Sequence, residues 1–369
     1  MKILILLMLT FSLVVRTSQA AAAEPTSTFR IGIVGLVHDH AQGFIADLLH
    51  RTDVELVGIA ESNPGLIARY TERYQLPAKL FHSTLEQMLD ATKVGAVAVC
   101  SSTFDHTKIV EACAARGVHV MVEKPLAVNL AHARAIEAAA TKGAIHVLVN
   151  YETTWYPSTQ SAGDRVNERH EIGPLRKIVV HDGHQGPKEI GASAEFLAWL
   201  TDPVLNGGGA LTDFGCYGAN LITWLMNNER PTSVMAVLQT IKPDVYPNVD
   251  DEATIVLTYP SAQGIIQASW NWPFGRKDME IYGATGSLFA PGPTLLRIRT
   301  VNTSPRDDRV PVLEGPSGNP LSYFAAVVRG EIAPTGLSAL DNNLIVTEIL
   351  DAARESALTG RRIDLTKKR

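Results

Sequence analysis

Cysteine is scarce in this sequence, with three in 369 residues, and their odd number and wide spacing match no metal or redox motif. Cys100 lies in an apolar strand-like run, Cys113 in a helix-like run and Cys216 beside a glycine-rich turn. All three read as buried thiols, so the fold is not expected to rely on cross-links. A basic surplus is also missing. The 33 Lys and Arg stand against 38 Asp and Glu, a net charge of −5, which argues against a nucleic-acid partner. Glycine, at 28, is too rare for a collagen-like chain, and 46% hydrophobic residues exclude disorder. Beyond the N-terminus no apolar run approaches the length that crosses a bilayer. What is left is a globular chain of about two domains.

The N-terminus carries an address. Lys2 precedes an apolar core, Ile3 to Val15, interrupted only by Thr10 and Ser12. Ser18-Gln19-Ala20 then offers a small-residue cleavage pattern, and Ala23 a second one. Residues 1–23 therefore read as a secretory signal peptide, which predicts a periplasmic or secreted protein with no membrane span after cleavage.

From residue 24 to 150 short apolar runs alternate with segments of helical period. The runs are Ile31–Val34, Val54–Ala60, Val94–Cys100, Val118–Val122 and Ile145–Val149. Ser83 to Glu86 reads as a capping box, and Gly117 as a helix stop. Continuous apolar strands between helices predict a parallel sheet covered on both faces, with ligands bound beyond its carboxyl ends. The first strand-to-helix turn keeps only one glycine of a dinucleotide fingerprint, Gly35, with Val37 and His40 at the other two places. The second strand ends at Glu61, a carboxylate suited to an adenosine ribose and repellent to a 2′-phosphate, which favours NAD and leaves NADP open. An exposed loop glutamate is the competing explanation. His38, Asp39 and His40 sit at the helix start. A metal site, a histidine donor to phosphate or sugar, and solvated loop side chains are all compatible with them.

The fourth strand runs into Glu123-Lys124-Pro125, and here the chain resembles the Gfo/Idh/MocA oxidoreductases, which carry E-K-P in this place. Cys100 to His106 resembles that family's T-P-N-x-x-H loop, with Ser101 and His106 in it. Gly207 to Tyr217 resembles G-G-G-x-L-x-D-x-G-x-H, with Tyr217 for the usual histidine as in the glucose–fructose oxidoreductase and dihydrodiol dehydrogenase branches. Asp351 to Gly360 resembles the closing helix. The ordered set spans about residues 29–365. It implies an α/β fold: a Rossmann-type parallel sheet, then a substrate and oligomerisation domain over 151–369 with an open, mostly antiparallel sheet. Strand-like runs at Leu175–His181, Ser233–Ile241, Ala253–Tyr259, Gly264–Trp270, Asp278–Tyr282 and Leu295–Arg299 agree with it. Gly215 to Met226 reads as a helix, and Ser304 to Asp308 as an exposed loop.

The resemblance further implies hydride transfer between a sugar-type carbon and a tightly held NAD or NADP, with a small carbohydrate as partner and a homo-oligomer through the open sheet. Gly35, His38, Glu61, Ser101, His106, Glu123 and Lys124 are the expected cofactor-side residues. Lys124 is the first candidate for proton transfer: desolvation could lower its pKa, and Glu123 would orient it. Asp213 and Tyr217, four apart, share a face if their helix starts at Asp213. Tyr217 then takes the proton, eased by Lys124 as its cationic neighbour. Asn150 to Pro157 stands where many relatives show Y-N-x-R-F-x-P. Thr154 replaces that arginine, which argues against a carboxylated substrate. Glu152 and Trp155, with His181 and His184 from a polar strand end, are candidates for sugar binding. No pair has a diagnostic metal spacing, and no metal is expected. A glycosidase or lyase working through transient oxidation, or through a metal, and a sugar binder without catalysis are the alternatives.

Overall fold

The computed structural model describes Thr28–Thr366. The predicted signal peptide lies outside the described residues. Eleven elements build the first domain: β1 (Phe29–Val34), α1 (Ala41–His50), β2 (Val54–Ala60), α2 (Pro64–Tyr74), β3 (Phe81–His82) and α3 (Leu85–Thr92). They continue through β4 (Ala96–Val99), α4 (His106–Ala114), β5 (His119–Glu123), α5 (Leu130–Gly143) and β6 (Val147–Asn150). The strands pair in parallel in the order β3-β2-β1-β4-β5-β6. This is the doubly wound sheet that the alternation predicts, with the reversal of strand order next to β1 and β4.

Local chemistry sets the helix starts. Asn63 accepts from Gly65 N and Leu66 N, and Pro64 occupies the first turn of α2. The cap of α3 is Thr84, which accepts from Gln87 N, so the capping signal sits one residue later than the Ser83–Glu86 reading.

The second domain contains α6 (Pro157–Gly163), β7 (Leu175–Gly183), α7 (Ala194–Leu200), α8 (Ala210–Asp213), α9 (Gly215–Leu225), β8 (Ser233–Gln239), β9 (Glu252–Thr258) and β10 (Gln263–Ser269). After these come β11 (Arg276–Gly283), β12 (Gly286–Gly292), β13 (Leu295–Thr300), β14 (Arg306–Arg309), α10 (Pro320–Val328), α11 (Leu340–Thr359) and β15 (Ile363–Asp364). Their nine-stranded sheet runs β14-β13-β12-β11-β7-β10-β9-β8-β15, antiparallel except where β10 pairs with β7. The stretch expected to be a loop at Ser304–Asp308 contains the edge strand β14, whose Arg306 to Arg309 pair with β13. Charged residues along an edge are a common protection against further pairing, and they hide the strand from a hydrophobicity reading.

One face of this sheet carries α9 and α11. Gly218 lets α9 lie close to β10, because a Cβ there would come 2.4 Å from Ile266 Cγ2. Helix α10 returns to the first domain, where Phe324 packs edge-on against Phe29 with ring centroids 5.7 Å apart. All three cysteines are buried and unpaired.

The glycine-rich loop before α8 is clasped by Asp250. Its carboxylate accepts from Gly209 N (2.9 Å) and Leu211 N (2.6 Å), and its carbonyl from Ala210 N. A Cβ on Gly209 would fall 1.8 Å from that carbonyl oxygen. Gly209→Ala is therefore expected to cost about 1–3 kcal/mol, since overpacking here displaces backbone. Urea denaturation measures it, and an unchanged midpoint would mean that the loop relaxes freely.

Candidate active site

The site forms where the carboxyl ends of the parallel strands meet α7 to α9. β1 is followed by Gly35 at φ 81°, and a Cβ there would lie 3.0 Å from the Cys100 carbonyl oxygen. Only glycine suits a left-handed position in such contact. Ser101, also buried beside this turn, donates to the Ser102 carbonyl (3.0 Å). Glu61 is buried, not an exposed loop residue. One of its oxygens accepts from Leu36 N (2.9 Å), the other from Ser62 N and Asn63 N (2.9 and 2.8 Å). It clamps the Gly35 turn to the end of β2. A carboxylate has about four acceptor positions, so capacity for a ribose hydroxyl remains. Val37 lends its carbonyl to Trp199 of α7 (3.3 Å), which draws the second domain over the turn.

The histidines of the turn have different fates. His38 is buried, with its ring 4.7 Å from Phe196 and 4.4 Å from His40. Burial, and then the neighbouring His40, push its pKa well below the ordinary value. His40 reaches across to Glu123 (Nδ1 to Oε2, 2.9 Å). Glu123 also accepts from Asn150 (2.8 Å), whose own oxygen accepts from Trp155 (2.9 Å). Burial alone would raise the Glu123 carboxyl, but the charge and hydrogen bond of His40 hold it down at about 2. Solvated loop side chains therefore do not describe His38. Donor atoms of His38, His40 and Glu123 lie within 4.8 Å of one another, the spacing of a metal site. However, His38 Nδ1 accepts the His40 amide (3.1 Å), which puts the proton of the neutral ring on Nε2 and makes that nitrogen a donor.

Lys124, at the end of β5, is buried and does not pair with Glu123. Its ammonium is bound by the Asp213 carboxylate and donates to the Asp213 carbonyl (3.2 Å). The second Asp213 oxygen accepts from Trp270 Nε1 (2.9 Å). Burial by itself would lower the Lys124 pKa, but Asp213 more than offsets it and the ammonium is held above its ordinary value. The expectation of a lowered lysine pKa is thus reversed. Opposite charge outweighs desolvation. Asp213 does not share a helix with Tyr217 either. The chain breaks at Phe214, between α8 and α9, and each residue enters the cleft from its own helix.

Tyr217 is buried in the floor of the cleft, with the Lys124 ammonium 5.3 Å from its ring centre. Burial drives its pKa well above the ordinary value, and Lys124 pulls against this. A second cation, which the motifs did not single out, is closer. Lys277 of β11 has its ammonium 3.5 Å from the Tyr217 hydroxyl and 4.5 Å from the ring centre. Glu152 is ion-paired to Lys277 and bonded to Tyr156.

His184 lines the same cleft against Phe214, with Nδ1 accepting from Gly186 N (2.9 Å). His181 does not reach it. Side chains alternate along a strand, so His181 stands on the opposite face of β7 from Asp182 and pairs there with Asp278 (3.1 Å). Trp155 is committed to Asn150 and packs against Tyr323 at 5.7 Å. His106 is fully buried and bonds the Leu126 carbonyl (3.1 Å), which anchors the segment after Lys124 rather than lining the cleft.

The cleft has a volume of about 350 Å³ and is lined by the polar Lys124, Tyr217, Lys277 and His184 together with the apolar Pro187, Ile190 and Phe196. Its polar lining combines a locked ammonium, a phenol and a second ammonium beside a dinucleotide-type turn. The residues fit a nicotinamide dinucleotide in part: Gly35 keeps the tight turn of the fingerprint, packed against the Cys100 backbone, and Glu61 stands at the end of the second strand where a ribose would lie. Val37 makes the turn narrower than the full fingerprint would.

Fold and site together define a two-domain oxidoreductase with a Rossmann-type nucleotide domain. Residues 29–151 match the family profile "Oxidoreductase family, NAD-binding Rossmann fold", and residues 160–289 match "GFO/IDH/MocA C-terminal domain". The chain belongs to the Gfo/Idh/MocA family. It is 25% identical over 323 residues to trans-1,2-dihydrobenzene-1,2-diol dehydrogenase of Xenopus laevis, covering 83% of this chain and 91% of the relative. It is 22% identical over 347 residues to inositol 2-dehydrogenase of Rhizobium meliloti, covering 90% and 97%. Among solved structures, aldose-aldose oxidoreductase of Caulobacter crescentus, complexed with glycerol, superposes with a TM-score of 0.78 at 22% identity, over 92% of this chain and 100% of that one. An inositol dehydrogenase homolog of Azotobacter vinelandii, complexed with NAD+, gives 0.79 at 18% identity, over 92% and 98%. These likenesses establish the fold.

Two measurements follow. Asp213→Ala leaves the Lys124 ammonium buried without its counterion, so unfolding free energy should fall by about 3–5 kcal/mol. A loss under 1 kcal/mol would mean that water reaches the pair, about the value of an exposed ion pair. Second, burial lowers His106 from 6.5 to about 4, so the folded state resists a proton that the unfolded chain accepts. Stability from this group is complete above pH 6.5 and is lost as the pH falls towards 4. His106→Gln should flatten that part of the stability profile, and an unchanged slope would assign it to other groups.

Proposed function

We propose that this protein is an NAD(P)-dependent dehydrogenase of a sugar, glycoside or related polyol, exported from the cell. The observation that carries the reading is the convergence of Lys124, Asp213 and Tyr217 on one cleft beside the Gly35 turn. Gly35, Glu61 and Lys124 are the residues that would hold the dinucleotide, which supplies the hydride acceptor when bound. Glu61 favours NAD over NADP, because its carboxylate repels a 2′-phosphate. Lys124, fixed as a cation, donates to the substrate oxygen and favours its negative charge. Tyr217 takes the hydroxyl proton. The outer face of the larger sheet exposes Val237 and Tyr282, which supports association of copies through that face. Export rests on residues 1–23, and the recovered mature chain should begin at Ala21 or Glu24.

The first test is absorbance and mass measurement of the purified protein for bound nucleotide, followed by a panel of sugars and polyols assayed for NADH formation. Release of an aglycone with no net NADH would replace this reading with transient-oxidation glycoside cleavage. Tyr217→Phe keeps the ring packing and should lower kcat on the order of 10²–10⁴-fold, with KM changed much less. A variant that turns over at the wild-type rate would place Tyr217 in the core alone.

A further inference from the structure

The inner face of β7 and β11 is apolar until it reaches the cleft. Ile178 opposes Ile281 and Val180 opposes Met279, all buried, and then Asp182 opposes Lys277. Nothing in the packing requires ionisable groups there: the Lys277 ammonium is ion-paired with Glu152 and not with Asp182, and burial holds the Asp182 carboxyl well above its ordinary range. Such groups at the rim of a cleft point to function. Asp182 Oδ1 is buried and has no hydrogen-bond partner among the described residues. Lys124, the other ammonium near Tyr217, is already bound by Asp213 and lies farther from the ring.

We propose that Lys277 is a positioning residue for Tyr217: it holds the phenol oxygen and supplies the positive charge that lets Tyr217 take the substrate proton. This rests on the dehydrogenase reading of the cleft. In the step, Tyr217 first gives its phenol proton to solvent at the cleft mouth, and the substrate O–H bond then breaks as a new O–H bond forms on the phenolate. A bound oxidised nicotinamide would supply the hydride acceptor that balances oxidation of the substrate carbon to a carbonyl. Lys277 keeps its protons throughout. Its charge acts on Tyr217, and Glu152, from the segment after β6, sets how much of that charge is felt.

The groups facing Tyr217 come from every element around it. Lys124 of β5 and Asp213 of α8 form one neutral pair, and Lys277 of β11 and Glu152 form another. Asp182 of β7, held above its ordinary range by burial, Cys216 of α9 and the Tyr151 ring, 5.2 Å away and edge-on, complete the shell. Removing Lys277 or removing Glu152 must therefore move Tyr217 in opposite directions.

The test is a pH titration of tyrosinate absorbance on the full mature chain, taking as the Tyr217 step the one that Tyr217→Phe abolishes. Lys277→Met should move that step up by about one pH unit or more, and Glu152→Gln should move it down. Lys277→Arg, which keeps the charge, should leave it near the wild-type position. The kcat profile for polyol oxidation should shift with it in Lys277→Met and stay near the wild-type position in Lys277→Arg. A step unmoved in Lys277→Met, or one that moves the same way in both variants, overturns the proposal. So does a Tyr217 step absent from the pH range in which the wild type stays folded. If the step moves as expected but no polyol reduces NAD, the Tyr217–Lys277 pairing stands and the dehydrogenase reading falls. If NAD is reduced and the step does not move, the reverse holds.

Discussion

The buried Lys124–Asp213 pair is the interaction on which the site depends. Lys124 belongs to the nucleotide domain and Asp213 to the other, so a single ion pair fixes the end of β5 against the end of α8. Several otherwise unrelated features serve it. The Gly207-Gly208-Gly209 loop and the Asp250 clasp bring α8 to the place where Asp213 can meet the lysine. The break at Phe214 lets Asp213 turn toward Lys124 while Tyr217 enters from α9. Trp270 donates to the second carboxylate oxygen, which fixes the orientation of the Asp213 carboxylate towards Lys124. A buried pair of this kind adds little net stability, because desolvation offsets most of its attraction. Its contribution is placement.

A second network crosses the crevice nearer the surface and gives the nucleotide turn its rigidity. It runs from His40 through Glu123 and Asn150 to Trp155, and so joins α1, β5, β6 and the start of the second domain. Trp199 and Ser193 add contacts to Val37 and Asp39 from the α7 side. The turn that lacks two of the usual glycines is thus held by side chains. Where backbone close approach is given up at Val37 and His40, hydrogen bonds and ring packing take over the positioning.

Much of this protein was legible in its sequence. Period and alternation set the parallel sheet, because strands buried on both faces need continuous apolar runs while their helices need a 3.6-residue stripe. Gly35, Lys124, Asp213 and Tyr217 were also legible, since they sit in motifs whose order along the chain is itself informative. Strands without apolar content were not, as the charged edge strand β14 shows.

What tertiary structure alone decided is the partnership among these residues. The motifs suggested that Glu123 serves Lys124, which the fold does not keep, and that Lys124 stands by Tyr217, which it does. In the fold, Glu123 serves His40, Asp213 serves Lys124, and the ammonium nearest the phenol is Lys277, which lies 60 residues beyond Tyr217 along the chain. It also decided the ionisation of Lys124. A sequence shows that a lysine ends a strand, but whether its pKa falls by desolvation or rises by pairing depends on which charge the fold places beside it. The strand period sorted Asp182 towards the cleft and His181 away from it, and only the register of β7 against β11 set which was which.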